Sequence, residues 1–285
     1  MSGKLIPYVA AAALVFAGCE SVIRLPTEVC PGKGSVADAL AALQSQSQNI
    51  VPLQAKGQCR LEYFVEGKNK KQRESLDIKL WANPPAEIYF QGDKPLVPKA
   101  VVLGSNQREF WLSISPKEIS THWWGQWSQQ GSSEVPLINP KTLLESLGIG
   151  ETDQDQDWSL DNEGAFDVLT KRQRGVITKK VYIYACDYRV RQIEFFDSEG
   201  RAVVLAELDK YQEVSRDFFV PTLIKLTAQG RGSGQDSFSI HLGLESIKPA
   251  DISQPQRKYL FERRPPKGFK HVRRIVNGKW VEEPQ

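Results

Sequence analysis

Few side chains in this 285-residue chain are spaced for chemistry. The three histidines, His122, His241 and His271, stand at unrelated spacings, and His241 alternates out of the apolar set around it, so it is expected to face water. Neither a catalytic base nor a metal ligand follows from them. "DQDQDWSLDNEG" opens like a calcium loop with Asp153, Asp155 and Asp157. Its sixth position is Trp158 where a sharp turn needs glycine, and its twelfth is Gly164 where a bidentate glutamate is needed; it reads as a solvated loop. "PGKGS" (Pro31–Ser35) and "GRGSG" (Gly230–Gly234) have the letters of phosphate cradles without their context, and no Gly-x-Ser-x-Gly elbow occurs. Both read as turns. No metal, cofactor or bond-breaking site is expected.

Cysteine is the residue type that does carry chemistry. "AAALVFAGCES", Ala11–Ser21, closes an apolar run from Leu5 to Gly18 behind Lys4, short of the about 20 apolar residues of a membrane span and matching a secretory signal. Phe16-Ala17-Gly18-Cys19 resembles the bacterial lipobox, with Phe16 where leucine is usual. Residues 1–18 then read as a lipoprotein signal peptide, and Cys19 as the acylated N-terminus of the mature chain. Two or three acyl chains make a stable anchor, each buried CH₂ contributing about 0.8 kcal/mol. Glu20 is not the aspartate of inner-membrane retention, so the expected location is the outer membrane, facing the periplasm. Cys30, Cys59 and Cys186 remain; an oxidising compartment permits one pair among the three, and no Cys-x-x-Cys spacing occurs. Which two pair is open.

Residues 19–34 read as a tether punctuated by Pro26, Pro31, Gly32 and Gly34. Ser35 then caps a 3.6-period stripe, Val36, Ala39, Leu40 and Leu43, that predicts a helix to about Asn49. From Leu53 the period becomes two: Cys59, Leu61, Tyr63 and Val65 alternate with polar neighbours, as do Leu76, Ile78 and Leu80. Further strands are predicted at Glu87–Gln91, Ala100–Gly104, Glu109–Ser115, Glu118–Trp123, Asp167–Thr170, Gly175–Cys186, Val190–Phe196 and Ala202–Tyr211. A short helix is predicted at Pro140–Leu147. Val220, Ile224 and Leu226 share one face of a late strand, and Phe238, Ile240 and Leu242 one face of the next. So many strands with so few helices imply a mainly β fold: a curved antiparallel sheet forming an open half-barrel, covered by a few short helices, over residues 35–262. Two helices cannot fill its inside, so a cavity is expected there, lined by Leu61, Tyr63, Val220, Ile224, Leu226, Phe238, Ile240 and Leu242, with Ile78 left unassigned.

The order of a helix, then "LQAKGQCRLEYFVEG", "LDIKLWANPPAEIYF", "LGSNQREFWLSISPKE" and "LLESLGI", then "VPTLIKL" and "FSIHLGL", resembles the LolA/LolB-like superfamily of bacterial lipoprotein carriers and receptors. Phe110-Trp111 before Pro116 matches that family's tryptophan on the strand before a proline turn, and a lipidated N-terminus matches its receptor branch. The resemblance implies a half-barrel closed by helices whose apolar cavity holds lipid or the acyl chains of lipoproteins, with a role in lipid or lipoprotein trafficking and no catalysis. The other reading is an envelope sensor or assembly factor that uses the same scaffold to hold a protein partner.

Two features stand outside this scheme. "STHWWGQWSQQ" places Trp123, Trp124 and Trp127 around what looks like a turn, either packed at a sheet edge or in a loop touching membrane or ligand. Residues 263–285 form a basic C-terminal extension, with Arg263, Arg264, Lys267, Lys270, Arg273, Arg274 and Lys279. It reads as a solvated tail or a contact for anionic headgroups. A net charge of +3 with 25% charged residues gives no general basic face, and no nucleic-acid partner is expected.

Overall fold

Alternation of apolar and polar residues dominates the chain and builds one sheet. The computed structural model describes residues 23–64, 71–116, 119–129, 140–150, 157–228 and 238–283. Cys19, Val65, Glu118, Asp153, Asp155 and the Gly230–Gly234 turn lie outside the described residues. The first six strands are β1 (Leu53–Phe64), β2 (Lys71–Asn83), β3 (Glu87–Lys94), β4 (Val97–Ser105), β5 (Glu109–Ile114) and β6 (Thr121–Gln126). After them come β7 (Trp158–Glu163), β8 (Phe166–Gln173), β9 (Val176–Tyr184), β10 (Val190–Phe196), β11 (Ala202–Ser215), β12 (Phe218–Ala228) and β13 (Phe238–Pro249). The chain ends with β14 (His271–Val276) and β15 (Lys279–Glu282). Their order in space is β15-β14-β6-β5-β4-β3-β2-β1-β13-β12-β11-β10-β9-β8-β7. The sheet does not close, and the architecture is a mainly β open half-barrel.

The period of two sorts the two faces. Leu76, Ile78 and Leu80 of β2, Ile88 and Phe90 of β3, and Ile240, Leu242 and Leu244 of β13 all point into one buried apolar core on the inner face. Helices α1 (Val36–Ser47) and α2 (Pro140–Ser146) lie against that face. On the other face Tyr89 packs with Leu260 and Phe261 of a third helix, α3 (Gln254–Phe261). Its capping box at Ser253–Gln256 and Pro255 in its first turn are start signals that a polar helix carries without an apolar stripe.

Two segments differ from the sequence expectation. Trp158–Glu163, expected within a solvated loop, is strand β7 and pairs antiparallel with β8. As the edge strand it needs only one apolar side, which Trp158 and Leu160 supply to the core. The C-terminal stretch, expected as a solvated tail, is a hairpin. β14 pairs parallel with β6 and antiparallel with β15. Its two-residue turn is Asn277-Gly278, both with positive φ (51° and 76°), the pairing that a type I′ hairpin turn requires. Its arginines are paired locally: Arg273 lies 2.9 Å from Glu282 and Arg274 3.6 Å from Glu283.

Candidate functional site

The covering helices leave a cavity of about 150 Å³ on the inner face. Ser35 accepts a hydrogen bond from the Asp38 amide and starts α1, whose 3.6-residue period then sets Leu40 and Leu43 over the cavity. Gly148, with φ +73°, ends α2 by donating to the Glu145 carbonyl at 2.9 Å, while the Ile149 amide bonds to Leu144 at 3.0 Å. A left-handed residue there satisfies carbonyls the helix leaves open. That turn holds Glu145 at the rim, 2.6 Å from Lys179 Nζ. The walls behind are Leu169, Val181, Ile193, Leu208, Tyr211 and Phe218. Tyr211 donates to the Val190 carbonyl, and burial raises its phenol above the usual range, so its polar end is satisfied away from the opening. Glu145, Lys179, Gln46 and Ser47 also line this space, and behind them its apolar walls leave room for a group the size of benzene.

A second space on the same face, about 20 Å³, is enclosed by Leu61, Leu76, Phe90, Leu226, Ile240 and Leu242, with Leu143 of α2 and Cys59. Burial pushes the Cys59 thiol up to about 12, which keeps it protonated and unreactive. Four of the eight side chains named from the sequence, Leu61, Leu226, Ile240 and Leu242, therefore meet around one space. Val220 and Ile224 are buried in the same core, and Tyr63 and Phe238 are half-buried against it. The larger cavity is lined instead by β8–β12 and α1, whose members the alternation alone did not single out. The signal for it was the helical stripe of Leu40 and Leu43.

Cys30 and Cys186 form the disulfide, 156 residues apart in sequence. The segment before α1 is thus fixed to the β9–β10 turn at Cys30. Lys33 adds a backbone hydrogen bond to Asp167 at 2.8 Å.

The tryptophans lie on β6 and the 3₁₀ turn after it, Trp127–Gln129, rather than in a free turn. Trp123 packs on the inner core, Trp124 lies under the Arg263 guanidinium at 3.8 Å, and Trp127 stacks with Phe110 and donates to the Asn106 carbonyl at 2.7 Å. All three are half-buried. Among the histidines, His241 is half-buried opposite Arg60 of β1, whereas His122 is only 2% exposed, its Nδ1 2.8 Å from Ser113 Oγ.

Burial, reinforced by the charge of Arg263, pushes His122 down to about 4 from an ordinary 6.5. Between those values the unfolded chain holds a proton that the folded chain refuses, so folding stability falls as pH drops from about 6.5 to 4. The loss expected over this window is about 3 kcal/mol. Urea titrations of the wild type and His122→Gln from pH 7 to 4 check it: the stability difference between the two should shrink by that order as the pH falls, and a constant difference would contradict the neutral, buried imidazole.

No protein-family profile matches the sequence, and no curated protein matches it. Solved structures do match in fold. A domain from Vibrio parahaemolyticus, assigned by name to outer-membrane lipoprotein sorting, superimposes with a TM-score of 0.51 at 11% identity, covering 77% of this chain and 94% of its own. A DUF1329 family protein from Desulfovibrio piger gives 0.50 at 10% identity, covering 80% of this chain and 98% of its own. A LolA superfamily protein from Nitrosomonas europaea gives 0.49 at 12% identity over 78% of this chain and 97% of its own. The chain has a LolA-like fold. Among the described residues no helix is long and apolar enough to cross a membrane.

Proposed function

We propose that the protein is a binding lipoprotein of the cell envelope, not an enzyme. Acylated at Cys19 after removal of residues 1–18, it is held at the outer membrane facing the periplasm. Its half-barrel takes up lipid or the acyl chains of lipoproteins as part of their trafficking. The observation that carries this reading is the apolar cavity beneath α1, a helix whose one fully buried residue is Ala39. Val36, Leu40 and Leu43 are only half-buried against the core, so displacing the helix exposes four apolar side chains, at about 0.8 kcal/mol for each methylene. The disulfide just before α1 keeps it tethered while it moves. The LolA-like fold and the lipobox-like Phe16-Ala17-Gly18-Cys19 support the same reading.

The small size of both inner spaces favours a second reading, an envelope sensor or assembly factor that binds a protein partner with its inner face closed. Titration of a fluorescent hexadecanoic acid separates the two. The wild type should bind it, and Leu43→Trp, which fills the larger cavity from a half-buried position, should weaken binding at least tenfold while leaving Tm within a few degrees. A wild-type chain that takes up no probe would overturn the acyl-binding function and leave the partner-binding one.

A further inference from the structure

The outer face of the sheet carries a third space, of about 200 Å³, that the acyl-binding reading does not use. Its floor is the outward side of the first half of the sheet, including Tyr89, Trp111, Ser113 and His122. Its roof is the strap after α3, residues 262–270. The strap is fixed at both ends, by Asn106 Nδ2 donating to the Phe261 carbonyl at 2.8 Å and by the Lys270 amide donating to the Ser120 carbonyl at 3.0 Å. The opening is therefore preformed by the chain's own hydrogen bonds.

Charge at this opening is unlike that of the surrounding surface. Nearby cations are matched: Arg257 with Glu87 at 2.9 Å, Arg263 with Glu109 at 3.0 Å and Lys79 with Asp93 at 3.0 Å. Lys99, Arg264 and Lys267 all line the cavity, and among the described residues no carboxylate lies within ion-pair distance of any of them. Glu262 is the one acid in the lining. Lys99 Nζ instead donates to Tyr259 Oη at 3.1 Å, and that hydrogen bond, with the charges of Lys99 and Arg264, holds the Tyr259 phenol below its usual value. The field at the opening is positive. His122 supplies a buried imidazole whose Nε2 has no hydrogen-bond partner among the described residues.

We infer that this cavity is a phosphate-binding site, taking a phosphate group between Lys99, Arg264 and Lys267 with its organic part toward the floor of Tyr89 and Trp111, while the Tyr259 ring, 4.1 Å from the Arg264 guanidinium and 5.5 Å from Lys99 Nζ, holds the two cations. A guanidinium and two ammonium groups with no carboxylate in ion-pair reach suit the several oxygens of phosphate. The phosphate could come from an anionic phospholipid headgroup or from a soluble phosphate compound, and the chemistry is the same.

Full-length protein in a neutral detergent, titrated with inorganic phosphate and with glycerol phosphate and followed by ³¹P NMR, reads the soluble source. Binding to nanodiscs of phosphatidylglycerol against phosphatidylcholine reads the headgroup. The variant Lys99→Gln/Arg264→Gln/Lys267→Gln changes exposed side chains only. A control, Lys56→Gln/Lys210→Gln/Lys248→Gln, removes the same charge from exposed lysines elsewhere. Saturable binding in either arm that falls at least tenfold in the first variant and less than twofold in the control supports the site, and the responding arm names the source. Absence of binding in both arms, or equal losses in both variants, overturns it. Neither result depends on the fatty-acid titration.

Discussion

Serine at both positions 30 and 186 is expected to lower the free energy of unfolding by about 4 kcal/mol, measured by urea denaturation at pH 7. The cross-link joins residues 156 apart, and closing so long a loop removes much of the freedom of the unfolded chain; loss of a native disulfide typically costs about 2–5 kcal/mol, with long loops at the upper end. Reductant should lower the wild type to the level of the double variant and leave the variant itself unchanged. Cys59 gives an internal control. At 1% exposure with a strongly raised pKa, its thiol should react with Ellman's reagent only when the protein unfolds. Equal stability of wild type and variant would show that the segment before α1 contributes nothing by its attachment.

Gly57→Ala is expected to destabilise by about 3 kcal/mol, at the upper end of overpacking effects, while Gly243→Ala across the same strand pair stays within about 0.5 kcal/mol. The two glycines sit at the bulge where the β1–β13 register shifts, so that Glu245 has no partner in β1. A Cβ on Gly57 would lie 2.0 Å from the Gly243 carbonyl oxygen and 2.9 Å from Leu244 Cα, both backbone atoms that cannot swing aside, whereas a Cβ on Gly243 meets nothing within 4 Å. β1 is the eighth of the fifteen strands, and a bulge at the middle of a sheet is where its curvature is set. Thermal and urea unfolding of the two alanine variants decide the matter; equal effects would mean that the central strands can separate at no cost.

Much of the fold was legible as pattern. Leu76-Ile78-Leu80 and Phe238-Ile240-Leu242 announce strands with one apolar side because a period of two is a property of each segment alone. The Leu40/Leu43 stripe and the helix at Pro140 are local in the same sense, and the order of these elements already resembled the half-barrel that the structure has. The Asn277-Gly278 turn was equally local and went unread, since the density of arginine around it pointed to a tail.

What the tertiary structure decided are relations between remote residues. Three cysteines at positions 30, 59 and 186 are equivalent on paper; Cys30 and Cys186 pair because the β9–β10 turn brings one beside the other, while Cys59 faces the core. Trp123, Trp124 and Trp127 form one cluster in sequence, yet the strand sends Trp123 inward and Trp124 outward beneath Arg263, a residue 139 positions further along the chain. Lys99, Arg264 and Lys267 become one charged opening only when the C-terminal strap crosses the outer face. Local pattern determined which face each side chain takes, because alternation follows from backbone geometry. Which faces meet, and how much space is left between them, depended on packing across the whole sheet, where small differences in side-chain volume separate a filled core from a cavity.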